Sequence, residues 1–197
     1  MTRKPALGCL LEIVETLVLT LIIFWVIQTF VAQPFRVEQQ SMQHTLEPDE
    51  YVLVDKLTPN WDTYKLGDVV VFRPPDTWPG GHGEPFIKRV IGVAGDTVEI
   101  HDGAVFVNGI RLVEPYVFQE DGTSQATDTF GGADRWVIPQ GQLFLMGDHR
   151  NNSSDSREGG PVDVGSVIGR AWLRYWPIGA FSILQTPSHP ELATPTP

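Results

Sequence analysis

The chain has 197 residues, with 14 Lys+Arg against 24 Asp+Glu and a formal net charge of -10. That balance argues against nucleic-acid binding, which needs a basic surface to displace counterions. Hydrophobic residues at 42% and six Trp exclude a disordered chain, and a single cysteine, Cys9, excludes a disulfide framework and a Cys-based zinc site.

From Thr16 to Ala32 the chain carries no charge. These 17 residues sit at the short end of the length that spans a bilayer. Arg3 and Lys4 precede the run, which predicts a cytoplasmic N-terminus and a remainder outside the cytoplasm. A cleaved signal peptide and a buried helix are the competing readings. Phe30 stands where cleavage after Ala32 would need a small residue, so an uncleaved anchor over 16–32 is the expectation. Arg3, Lys4, Glu12 and Glu15 cancel, so residues 33–197 carry the whole -10.

After Pro34 the pattern changes to short β-type runs broken by Gly and Pro. Strands are predicted at Phe35–Val37, Tyr51–Lys56, Asp68–Phe72, Phe86–Val93, Thr97–Ile100, Ala104–Val107, Arg135–Ile138, Leu143–Met146 and Ser166–Trp176. Asp102-Gly103 and Asn108-Gly109 are tight-turn pairs, so Thr97–Ile100, Ala104–Val107 and Ile110–Val113 read as a meander. Arg73–Pro85 is too rich in Pro and Gly for a central strand. Gln119–Asp134 is polar and expected to be mobile, and 186–197, with four prolines, is expected to be disordered. No amphipathic helix follows the anchor, so the body reads as all-β.

The four lysines differ in setting. Lys4 precedes the anchor, Lys56 lies beside Asp55 at a strand end, and Lys65 is in a loop. Lys88 lies inside Phe86–Val93, sharing one face with Phe86 and Val90 while Arg89 takes the other. An ammonium on an apolar face should lose its proton more easily, and a neutral amine can take a serine proton as general base. A lysine snorkelling from a sheet edge fits the same pattern. Asp148-His149 beside Ser153 is too close in sequence for an ordinary Ser-His-Asp triad.

Four stretches then line up. Ser41-Met42-Gln43-His44-Thr45-Leu46, Gly67-Asp68-Val69-Val70-Val71-Phe72, Lys88-Arg89-Val90-Ile91-Gly92-Val93-Ala94-Gly95-Asp96 and Gly147–Arg157 resemble, in order, the motifs of bacterial type I signal peptidases. The resemblance covers residues 16 to about 180 and implies a mainly β fold. An N-terminal transmembrane helix would be followed by an all-β catalytic domain of antiparallel sheets with a β insert. The implied organisation is a cytoplasmic N-terminus at 1–15, the anchor at 16–32 and a catalytic β core at 33–97 and 141–185. An inserted meander and mobile loop would occupy 98–140 and the tail 186–197.

The resemblance also implies the chemistry. Ser41 would attack the scissile carbonyl, and neutral Lys88 would take its proton and return one to the leaving amine. Ser153 would hydrogen-bond and orient Lys88. Asp155 would pair with Arg157 near the site, with Asp148 and Arg89 structural beside them. The Ser41 backbone N–H would form one oxyanion donor, with the Gln39 amide a candidate second. No metal or cofactor is implied. The implied partners are the lipid bilayer and preproteins with small residues at -1 and -3. Phe35, Trp172 and Trp176 are candidates for headgroup contact, with core packing the favoured role of the two Trp. The chain departs from the family pattern at His44, where proline is usual, and at His149, where asparagine is usual. These departures motivate a second reading, an inactive β-domain that binds exported chains. If the dyad reading holds, replacing either histidine by alanine is expected to leave most activity.

Overall fold

The computed structural model describes residues 5–81, 83–130 and 133–193. A nearly unbroken apolar run carries α1 over Pro5–Val26, Pro5 opening its first turn, and a π-helical turn, Ile27–Val31, ends it. The helix begins well before the expected Thr16, running through Glu12 and Glu15. A window of 24 residues, Gly8–Val31, is long and apolar enough to cross a membrane. Ala32 belongs not to the anchor but to β1 (Ala32–Arg36), whose ladder it opens opposite Asp55.

Behind the anchor lies an antiparallel sheet built from β1, β2 (Tyr51–Asp55), β3 (Val69–Phe72), β4 (Phe86–Gly92), β11 (Gln142–Met146), β12 (Val162–Asp163) and β13 (Val167–Trp176). Its order is β1-β2-β13-β3-β4-β11-β12, and β14 (Ser182–Ile183) pairs with β13. Pro34 is tolerated because β1 is an edge strand. Lys88 on β4 faces Val70 across the β3 ladder. A second sheet, of order β10-β5-β6-β7, is the insert: β5 (Thr97–His101), β6 (Ala104–Val107), β7 (Ile110–Arg111) and β10 (Arg135–Val137). Asp102 and Asn108 adopt positive φ at the two predicted turns, each followed by a positive-φ glycine. The mainly β class is the one expected. The one α-helix after the anchor, among the described residues, is the four-residue α2 (Ser156–Gly159), alongside short 3-10 turns.

Three regions differ from expectation. Gln119–Asp134, expected to be mobile, holds a hairpin of β8 (Gln119–Glu120) and β9 (Thr123–Ser124) and ties into the loop after β11. The reason is buried guanidinium groups that need acceptors: Arg150 Nη1 donates to Thr127 Oγ1 at 3.1 Å, and Arg157 Nη1 to the Asp128 carbonyl at 2.9 Å. The expected disordered tail is docked as far as Ala193. Thr186 Oγ1 donates to Asp68 Oδ1 at 2.6 Å, Val113 N to Glu191 Oε1 at 3.0 Å, and Leu192 packs on the core of the insert. Residues 194–197 lie outside the described residues. Trp172 and Trp176, which the sequence favours as core residues, are 38% and 50% exposed. The β13 register shifts against β2 between Ala171 and Leu173 and again between Arg174 and Trp176, and the extra residue at the first shift, Trp172, turns outward.

Candidate active site

Ser41 sits in a one-turn helix, Gln40–Met42, between β1 and β2. The turn is pinned from below: Met42 and Leu46 are fully buried among Val37, Val52, Val54, Val69, Val71 and Ala171. His44 follows with φ +85°. The pyrrolidine ring excludes that conformation, so this turn is not the one a proline at 44 would make.

From β4, Lys88 reaches the same point. Its Nζ lies 2.6 Å from Ser41 Oγ, and both residues are buried. Burial pushes the Lys88 pKa down to about 8, against the opposing fields of Asp155 and Asp148, while Arg157 adds to the lowering. With the amine neutral, the hydroxyl donates to nitrogen, the orientation proton transfer to a base requires.

Ser153 does not make the expected bond to Lys88. Its hydroxyl donates to Asp155 Oδ2 at 2.7 Å. The carboxylate is the stronger acceptor and is already held in place: Arg157 donates to it through Nε and Nη2, each at 2.8 Å, and Gly147 N at 3.1 Å. Burial alone would raise the Asp155 pKa, but Arg157, Ser153 and the Gly147 N–H outweigh it and hold it below its ordinary value. Asp148 is held by Arg89, whose Nε and Nη2 donate to it at 2.8 and 2.7 Å, and by the Thr45 hydroxyl. Arg89 also donates to the Gly67 carbonyl at 2.7 Å and lies 3.9 Å from the Tyr116 ring centre.

Some residues of the site carried no assigned role in the sequence reading. Gly147, inside the fourth motif, lets the loop after β11 approach the Ser41 turn, for a Cβ there would lie 2.5 Å from the Ser41 carbonyl oxygen and would collide with the Ser153 hydroxyl. Glu114 clamps buried Arg150 with contacts of 2.6 and 3.1 Å. Thr45 joins Arg89 to Asp148. Thr45 lay within a quoted motif. Glu114, on the insert, carried no local signal.

Two recesses meet at Gln39, which is exposed. One, of about 260 Å³, is lined by Phe35, Val37, Val52, Val71, Phe86 and Ile87 together with the exposed carboxylates Glu38 and Glu84. The other, of about 310 Å³, is lined by Gln39, Gln40, Ser41, Asn152, Ser153 and Ser154. Ser41 lines the second recess, rich in amides and hydroxyls, and Gln39 joins it to the first, where apolar side chains sit beside Arg36, Glu38 and Glu84. Among the described residues, no group of three or more His, Cys, Asp or Glu is placed to hold a metal ion.

Residues 10–176 match the family model described as signal peptidase, peptidase S26. A signal peptidase I of Leptolyngbya laminosa is 34% identical over 181 residues, covering 90% of this chain and 85% of that one. Signal peptidase IB of Staphylococcus aureus is 32% identical over 182 residues, covering 87% and 92%. A crystal structure of a signal peptidase I from Enterococcus faecalis V583 aligns with 55% of this chain and 97% of that chain, at 29% identity and a TM-score of 0.41.

Proposed function

This chain belongs to the signal peptidase family, and from that premise we propose that it is a membrane-anchored serine endopeptidase that removes N-terminal signal peptides from exported preproteins with a Ser41/Lys88 dyad. The observation that carries the dyad is the 2.6 Å separation of Lys88 Nζ from Ser41 Oγ, both residues being buried, with burial bringing the amine to about 8. Neutral Lys88 takes the Ser41 proton as Oγ attacks the scissile carbonyl. The resulting ammonium then protonates the leaving amine, and water repeats the sequence on the acyl-enzyme. The Ser41 N–H serves the oxyanion, with Gln39 beside it as the candidate second donor. Ser153 acts one step removed, by fixing Asp155 and so the field at Lys88.

The substrate lies extended along the recess lined by Phe35, Val37, Val52, Val71, Phe86 and Ile87, pairing its backbone with a strand edge, with small side chains at -1 and -3 as the family resemblance implies. The anchor holds this site at the bilayer, where the substrate's own apolar segment is held, and so raises their effective concentration. Arg3 and Lys4 place the N-terminus in the cytoplasm and the β domain outside it. Trp172, Trp176, Ile178 and Phe181, on β13 and just after it, are exposed apolar side chains suited to headgroup contact.

The test is cleavage of a preprotein by the detergent-solubilised full chain. The mature fragment should appear with the native chain and not with Ser41→Ala or Lys88→Ala. If the folded native chain binds preprotein without cutting it, the binding-domain reading takes over.

A further inference from the structure

We infer that His149 is a positioning residue for Ser41 that acts through the side chain of Gln43, an inference that rests on Ser41 being the nucleophile. The nucleophile turn has an exposed residue, Gln40, on one side and a left-handed His44 on the other, a conformation that costs a non-glycine residue free energy. Something outside the turn must hold it, and the loop after β11 does so at several points. The His149 backbone N–H donates to the Ser41 carbonyl at 3.0 Å. The His149 ring meets Gln43, its Nδ1 lying 3.0 Å from Oε1. Asn152 Nδ2 donates to Gln40 Oε1 at 3.1 Å.

The Gln43 contact has a defined polarity. Gln43 Nε2 donates to Glu47 Oε2 at 3.2 Å, which leaves Oε1 as the acceptor toward histidine. His149 Nδ1 therefore carries a proton and donates. The ring is fixed from its other side by Phe118, stacked with centroids 4.1 Å apart and planes 18° apart. Phe118 is itself tied to the loop, its N–H donating to the Asp148 carbonyl at 2.9 Å. His149 thus holds the backbone of Ser41 and the side chain two residues on. Together these set the direction in which Oγ leaves the turn toward Lys88.

Aromatic packing alone is the simpler role, and two substitutions separate it from positioning. His149→Asn puts Nδ2 at the bond count of Nδ1, so it keeps the donor to Gln43 and removes the stack. His149→Phe keeps the stack and removes the donor. The full chain in detergent is assayed on a preprotein below each variant's melting midpoint. His149→Asn should hold kcat within twofold of the native chain. His149→Phe and Gln43→Leu should each lower kcat about three- to tenfold with KM unchanged, the range one hydrogen bond supplies, which replaces the expectation from the sequence that loss of the His149 side chain leaves most activity. The double variant should be no slower than the slower single one. Native kcat in His149→Phe, equal impairment in His149→Asn and His149→Phe, or additive losses in the double variant overturn the inference. Ser41→Ala, run alongside, separates the failures: if it is dead while His149→Phe is unimpaired, the dyad stands and only the role of His149 falls. If Ser41→Ala still cuts, the dyad itself falls.

Discussion

Lys88 and Arg89 are neighbours on one strand, both basic and both buried, yet the two faces of β4 treat their charges in opposite ways. On one face Arg89 meets Asp148 through two hydrogen bonds, reaches the Gly67 carbonyl and the Thr45 hydroxyl, and lies against Tyr116. On the other face the hydrogen-bond partner of Lys88, among the described residues, is the neutral hydroxyl of Ser41, and the Phe86 ring lies 5.2 Å from its nitrogen. The carboxylates that act on Lys88, Asp155 and Asp148, do so at a distance, each engaged by its own arginine. Equal burial therefore yields a fixed cation where a carboxylate touches and a titratable base where none does. The first arrangement holds the fold together, and the second is available for proton transfer.

Several experiments would break or sharpen that contrast. The largest effect should come from Lys88→Arg, which keeps a cation but removes a base that can be neutral near pH 8; preprotein cleavage should fall by about 10³-fold or more. Retention of most activity would mean that the charge rather than the lone pair matters. Next, Arg89→Met leaves Asp148 buried without its counter-ion and should lower unfolding stability in urea by about 3–5 kcal/mol. Lys88→Met should act with the opposite sign, since it removes a buried amine with no carboxylate in contact. A gain of about 1–3 kcal/mol at pH 7 is expected from the fall of its pKa from 10.5 to about 8.

The pH dependence follows from the same shift. Below about 8 the amine is charged in folded and unfolded chains alike, and the folded state bears the full desolvation penalty. Between about 8 and 10.5 the folded chain releases a proton that the unfolded chain keeps, so Lys88 contributes stability that grows as pH rises. That slope should be missing in Lys88→Met. In kinetics, kcat/KM should climb about tenfold per pH unit toward a midpoint near 8. A flat profile from pH 5 to 10 would dismiss a lysine base.

Much of this architecture was legible in the chain because it depends on local pattern. A charge-free apolar run makes a long helix, β-branched alternation makes strands, and Asp-Gly and Asn-Gly close the hairpins of the insert. Ser41 and Lys88 were singled out by ordered motifs rather than by their own neighbourhoods, since Lys88 taken alone looked more like a snorkelling surface residue than a base. The partner of Ser153 was not legible, because a hydroxyl chooses among acceptors by position, and Asp155 lies nearer to hand than the amine. Trp172 was misplaced because size and apolarity favour the core, whereas Gly169 and Ala171 take the buried face of β13 and alternation turns Trp172 outward. The loop 119–134 and the segment 186–193 read as loose because their own composition is polar and proline-rich. What holds them comes from elsewhere: the buried guanidinium groups of Arg150 and Arg157, Asp68 at the head of β3, and Val113 beyond β7.

The sequence by itself determined the anchor, the mainly β class and the residue types available for catalysis, because these rest on hydrophobic period and side-chain chemistry within a few residues. Tertiary structure alone decided that a hydroxyl and an amine 47 positions apart share one buried point, and that the adjacent guanidinium does not join them. Desolvation and ion pairing depend on distance and enclosure, and both arise only once β4, the Ser41 turn and the loop after β11 have packed together.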